Sequence, residues 1–297
     1  MSTQVTTAFV QQYAANVMML AQQKGSKLRD AVRVENVTGK QAFFDQIGAT
    51  AARRRTSRHS DTPRMDTPHA RRRCSLEDFD WADMIDQEDK VRLLIDPTST
   101  YSKSAANAMG RAMDEVIVDA IRGTAFTGET GSTAVTLPAG QKIVEGGTTG
   151  LTIAKLISTK RIMDAADIDN EGRYIAVTSD QLEDLLNATQ VTSADYNTVK
   201  ALVQGELETF LGFNFIRVDG QRIDGTKLIP TTAAGGNIRA CVAWQRDQVV
   251  LGIGAQPQAR ISERADKNYA TQVFYSMSIG ATRMQDVGVV EVQAYHA

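Results

Sequence analysis

Residues with the chemistry to catalyse or to bind metal are few in this 297-residue sequence, and their spacing suits neither task. There are three histidines: His59 and His69 flank an arginine-rich stretch, and His296 stands one residue from the end. None lies beside a carboxylate or cysteine at metal-ligand spacing, and HExxH and CxxC are absent. Gly123, Gly128 and Glu129 occupy the positions that a phosphate-binding loop gives to two glycines and a lysine. A carboxylate there repels phosphate, and the segment follows a predicted helix where such a loop follows a strand. It reads as a helix stop and a flexible loop. Gly252 and Gly254 are a fragment of a dinucleotide fingerprint without its third glycine. Spacing alone does not exclude a Ser–His–Asp triad, but no GxSxG elbow supports one. No catalytic, cofactor or metal site emerges, and no enzyme is predicted.

Composition narrows the function classes further. Apolar residues make up 42% and charged residues 23%, as in an ordinary globular protein, and the net charge is −2. A chain built mainly to grip nucleic acid is usually clearly basic. Cys74 and Cys241 lie far apart in sequence, the pattern of free thiols in a reducing compartment. No run approaches 18 apolar residues, so no membrane span is predicted, and the N-terminus does not read as a secretory leader.

The charges are distributed very unevenly. From Arg33 to Arg73, ten Lys or Arg stand against four Asp or Glu, a net of +6; from Ser75 to Asp96, eight acids stand against two bases, a net of −6. The basic group includes Arg53, Arg54, Arg55, Arg58, Arg71, Arg72 and Arg73. The acidic group includes Asp78, Asp80, Asp83, Asp86, Glu88 and Asp89. The arginines could neutralise phosphates, but no aromatics are interleaved to stack bases. They could also form a solvated loop, or pair with an acidic surface on a neighbouring copy. The acidic run lacks the alternating ligands and central glycine of a calcium loop. It reads as a solvated helix face and as a candidate partner for the basic arm.

The elements that would carry these charges follow from periodicity. Phe9, Tyr13, Val17 and Leu20 predict an amphipathic helix over 7–24, stopped by Gly25, that docks on its own domain or reaches a neighbour. Residues 31–47 and 67–79 read as strands of a long protruding hairpin whose tip is the arginine stretch. Ala105, Met109, Met113, Val116, Ile117 and Ala120 predict a long helix over 99–122. Helices at 152–166, 179–186 and 193–211 alternate with strands at 173–178 and 213–218, forming a small mixed unit. β-rich stretches follow at 238–244, 273–281 and 287–294. The fold class is α+β.

This order of elements resembles major capsid proteins of the Hong Kong 97-type fold. The stretch DTPHARRRCSLEDFDWADMIDQEDKVRLLIDPTSTYSKSAANAMGRAMDEVIVDAIRGTAFTGETGS, residues 66–132, is similar to the capsid-protein branch of tailed phages. The resemblance implies an N-terminal arm (1–30), an extended loop over an adjacent subunit (31–78), and a peripheral domain (79–150 and 256–297) with its spine helix at 99–122. It also implies an inserted axial domain (151–255) around the five- and six-fold axes. Pentamers and hexamers would form an icosahedral procapsid in the host cytoplasm, expand on DNA packaging and become part of the virion. Implied partners are further copies, a portal protein at one vertex and packaged double-stranded DNA held non-specifically at the inner face. Residues before the arm leave no room for a fused scaffolding segment, so a separate scaffolding protein is implied; whether decoration proteins bind is left open. Some relatives crosslink through a lysine in the extended loop; the surroundings of Lys40 do not suggest that chemistry. A nanocompartment shell of the same fold and a nucleic-acid-binding protein remain the alternatives.

Overall fold

Residues that alternate between two apolar faces make a strand that must be covered on both sides. Such a strand, Ile238–Gln245 (β11), lies inside a six-stranded sheet in the computed structural model. The structure describes residues 22–55, 57–58, 61, 64–86, 98–144, 147–187, 209–232 and 236–296. Val242 and Trp244 of β11 face one core, whereas Cys241 and Ala243 face another. The remaining strands of this sheet are Lys142–Ile143 (β7), Val289–Tyr295 (β14), Arg173–Val177 (β8), Phe213–Arg217 (β10) and Thr209–Phe210 (β9), in the order β7-β14-β11-β8-β10-β9. Helices Ile153–Ala165 (α2) and Ser179–Leu186 (α3) cover one face through Leu156, Met163 and Leu185. Both start on threonine caps, Thr152 and Thr178.

The other face packs on the helix Thr98–Arg122 (α1), whose 25 residues span about 37 Å at about 1.5 Å each. Ala105, Met109, Ala112, Met113, Ile117, Val118 and Ile121 are all buried, a stripe broader than the predicted one. α1 is flanked by two layers. Beyond it lies a four-stranded sheet ordered Arg33–Asn36 (β1), Val249–Arg264 (β12), Ala270–Arg283 (β13) and Glu77–Ile85 (β4). Leu251, Ile253, Met277 and Ile279 of that sheet join the α1 core.

A third sheet carries the hairpin of Gln41–Ile47 (β2) and His69–Ser75 (β3), extended by Ala125–Thr127 (β5) and Thr133–Val135 (β6). The hairpin register runs from Gln41↔Ser75 to Ile47↔His69 and ends where the Gly48 amide donates to the Pro68 carbonyl at 2.8 Å.

Several expectations are corrected. Asp78, Asp80 and Asp83 lie on strand β4, not on a helix: Phe79 and Trp81 alternate with Asp78 and Asp80 and pack towards α1, so period two prevails. Residues 123–135, read as a helix stop and flexible loop, form β5, β6 and their turn, with Gly128 and Gly131 at positive φ. Gly212 does not stop a helix. Leu211 and Gly212, at φ 53° and 87°, make the tight turn between β9 and β10, and the preceding residues 188–208 lie outside the described residues. Most of the predicted 7–24 helix is likewise outside; its last residues, 22–24, are not helical. Strands β14 and β7, from stretches expected in the peripheral domain, share a sheet with β8, β10 and β11, and β12 runs on both sides of the expected boundary at 255/256.

Candidate functional site

The hairpin changes sheets at its root, and glycine makes this possible. Residues Cys74 to Leu76 cross directly over β12 and β13. A Cβ at Gly252 would meet Val37 and Cys74, one at Gly254 would meet Leu76, and one at Gly280 would overlap the Ser75 carbonyl. The pair that resembled a cofactor fingerprint therefore provides a flat floor for the crossing chain.

The root is then clamped by charge. Arg72 is buried; its Nε donates to the Met284 carbonyl at 2.8 Å and its Nη2 to Asp286 at 3.0 Å. Asp286 also accepts from Arg283 Nε at 2.6 Å. Arg283, with no exposed side-chain area, donates to the carbonyls of Ile121 (2.8 Å), Gly123 (2.9 Å) and Val135 (3.2 Å). Two guanidinium groups thus share one carboxylate, and the negative C-terminal end of α1 supplies the rest of the compensation. Gln46 Nε2 adds a 2.9 Å bond to the same Met284 carbonyl. One junction joins hairpin, long helix and the β13–β14 turn.

The structure separates the seven arginines into two groups. Arg71 pairs with Asp45 across the hairpin at 2.5 Å and lies 5.4 Å from the Phe43 ring. Its hydrogen bond holds the Asp45 carboxyl below the usual carboxylate range. Arg73 sits 4.5 Å from the Phe126 ring. Arg71, Arg72 and Arg73 thus each have partners within the subunit. Arg53, Arg54, Arg55 and Arg58 are exposed beyond the paired part of the hairpin. Among the described residues none of these four forms an ion pair; Arg55 donates only to the Ser57 carbonyl at 3.1 Å.

The acidic candidates lie elsewhere. Asp78 and Asp80 stand on the exposed face of β4 and Asp86 just past its end, without ion pairs among the described residues. Asp83 is half-buried and accepts from the Met84 amide. Glu88 and Asp89 lie outside the described residues.

Sequence reasoning missed Asp114, which interrupts the apolar stripe of α1. Its carboxylate is fully buried and accepts from Gln23 Nε2 (2.5 Å), Ser26 Oγ (2.5 Å) and the amides of Lys27 and Leu28 (both 3.0 Å). Four donors replace the water that a carboxylate loses on burial. The segment 22–28 is thereby strapped across α1. Gly110 admits it: a Cβ there would lie closer than 3.0 Å to the Gly25 and Ser26 backbone. A buried acid in an otherwise apolar helical face was the available signal. The buried thiols of Cys74 and Cys241 are pushed up to about 11 and about 12 by desolvation, so neither is a nucleophile at neutral pH. Among the described residues no group of acids, histidines and cysteines could hold a metal ion, and no helix is long and apolar enough to cross a membrane.

The family model for phage capsid protein matches residues 5–295. The chain belongs to the phage capsid protein family. Solved phage heads share the fold of this capsid protein. The capsid of Ralstonia phage GP4 superposes with a TM-score of 0.73 at 12% identity, over 98% of this chain and 96% of that one. The capsid of cyanophage P-SCSP1u gives 0.71 at 20% identity, over 99% and 95%. The head of Helicobacter pylori bacteriophage KHP40 gives 0.73 at 10% identity, over 97% and 96%. No curated protein matches by sequence. This capsid protein is a structural subunit of the virion's head shell, and copies of it assemble with one another.

Proposed function

We propose that the capsid protein tiles an icosahedral head of Hong Kong 97 type as pentamers and hexamers, with its hairpin laid over an adjacent copy. The observation that carries this reading is a hairpin clamped at its root and bare at its tip. Arg72 and Gln46 fix its direction, whereas Arg53, Arg54, Arg55 and Arg58 have no acidic partner among the described residues. Asp78, Asp80 and Asp86, on and just beyond exposed β4, offer the complementary charge on the next copy. Each exposed pair contributes only about 0–1 kcal/mol, but repetition across every contact of a closed shell sets register.

On the same reading the unit around α2 and α3 surrounds the symmetry axes, and the sheet of β4, β12 and β13 with α1 forms the periphery. A separate scaffolding protein guides assembly in the host cytoplasm, a portal protein occupies one vertex, and double-stranded DNA meets the inner face without sequence preference. The chain catalyses no reaction; family membership supports this at the level of a structural protein. Electron microscopy of the purified protein, with and without its scaffolding partner, tests the proposal. Capsomers or shells are expected, and a protein that stays monomeric at high concentration in both conditions would overturn it.

A further inference from the structure

Strand β2 turns its side chains alternately to two sides of the hairpin, and the subunit engages only one of them. On that side Gln46 and, across the ladder, Arg72 both bond the Met284 carbonyl. Phe43, Asp45 and Ile47 point to the other side, where Phe43 is 40% and Ile47 70% exposed. Asp45 is paired with Arg71 opposite it. Phe43 and Ile47 are thus apolar side chains that the hairpin presents outward.

A groove of about 340 Å³ opens between α1, β4 and the loop after β10. Phe79, Trp81, Met109, Ala112 and Ile223 supply its apolar walls, and Ile223 is 70% exposed. Among its charged groups, Arg222 pairs with Glu115 at 3.1 Å and also with Asp119, while Arg111 donates to Gln22 Oε1 at 3.0 Å. Asp80 also lines the groove and has no ion pair among the described residues. Two guanidinium groups therefore stand against three carboxylates. The groove is apolar with one negative charge unmatched.

The outward side of the hairpin and its tip match both properties. Beyond Ile47, residues 48–58 carry four arginines and no acid, whereas residues 77–86 carry five acids and no base. Ile47 stands six residues before Arg53, and Asp80 six before Asp86, so each pair spans at most about 20–22 Å at about 3.3–3.6 Å per residue. Within one subunit the two surfaces do not meet: the hairpin root is clamped beside the C-terminal end of α1, and Ile47 and Ile223 both remain exposed. We propose that Ile47 of one copy seats in the groove of a second copy, between Trp81 and Ile223, with the arginine tip running along β4 towards Asp86. This seat presupposes a hairpin laid over an adjacent copy. Knob and groove are different surfaces, so the contact is head-to-tail and closes rings rather than pairs.

Crosslinking tests the seat. The Ile47→Cys/Ile223→Cys variant is assembled and treated with a short bismaleimide, while the native Cys74 and Cys241 stay buried and unreactive. A ladder of covalent oligomers is expected, and a mixture of the two single variants should give covalent dimers only. Internally linked monomers, or shells that yield no linked product, would overturn the seat and leave the tiling of the head untouched. Wild-type protein that forms no shells removes the tiling and the seat together. If the double variant does not assemble, the wild type decides. Trp244 is fully buried whereas Trp81 lines the groove, so acrylamide quenching should fall when dissociated subunits assemble. In a Trp81→Phe variant that fall should disappear. Quenching unchanged by wild-type assembly overturns the seat.

Discussion

Replacing Arg72 tests whether the hairpin root is held by the subunit itself. Arg72→Ala removes two charge-assisted hydrogen bonds, at 2.8 Å to the Met284 carbonyl and at 3.0 Å to Asp286. Bonds involving a charged group contribute about 1.5–3 kcal/mol each. Stripping a buried ion of its sole partner costs about 3–5 kcal/mol. Here Asp286 keeps Arg283 and the Met284 carbonyl keeps Gln46, so neither acceptor is orphaned. The expected loss is therefore about 2–3 kcal/mol. Arg72→Glu should cost more, because it sets a second carboxylate beside Asp286. By contrast, Arg53→Glu, Arg54→Glu and Arg55→Glu act on exposed side chains and should each change stability by less than about 0.5 kcal/mol. Those outer reversals should nonetheless lower the yield of shells. Denaturant unfolding of the dissociated subunit, followed by tryptophan fluorescence, measures the first effect, and sedimentation of assembly products the second. The reasoning fails if Arg72→Ala costs under about 0.5 kcal/mol, or if the outer reversals unfold the subunit as readily.

Asp114→Ala should release the strap at a cost of about 3 kcal/mol, since four donors lose a buried acceptor; faster tryptic cleavage at Lys24, Lys27 and Arg29 reports it. Gly280→Ala should displace the crossing chain at Ser75 and cost about 2 kcal/mol or more, read as a lower unfolding midpoint. Cys74 and Cys241 should resist alkylation at neutral pH and react once urea unfolds the protein. Their folded-state pKa values, about 11 and about 12, lie above the ordinary 9.0. The unfolded thiols therefore ionise first. Stability is full below pH 9.0 and falls as pH rises towards 11 and 12, by at most about 1.4 kcal/mol per unit for each thiol, measurable as midpoint against pH.

Long-period signals were legible in the sequence. The α1 stripe, the alternation of β13 and the exposed arginine tip all emerged from spacing and charge alone. Short or ambivalent stretches misled. Asp78–Asp83 looked like a solvated helix because the acids dominate the count, but Phe79 and Trp81 needed cover and imposed a strand. β5 and β6 have three residues each, too few to show a period, and they exist only because β3 offers an edge. The role of Arg72, Arg283 and Asp286 was hidden for a different reason. More than 200 residues separate Arg72 from the other two, and pairing at that range is set by topology, which no local pattern encodes.

The same separation orders events in time. β1 pairs with β12 at Arg33↔Val250, and the hairpin root is fastened only by residues 284–286, close to the end of the chain. At about 5–20 residues per second, a ribosome needs about 10–40 s to travel from one to the other. Throughout that interval the hairpin is held by its own pairing and by β5 but lacks the contacts of Arg72 and Gln46 to residues 284–286. A nascent subunit therefore lacks the root clamp until its C-terminus is made. Completion of the C-terminus is thus the last step in fastening the hairpin root.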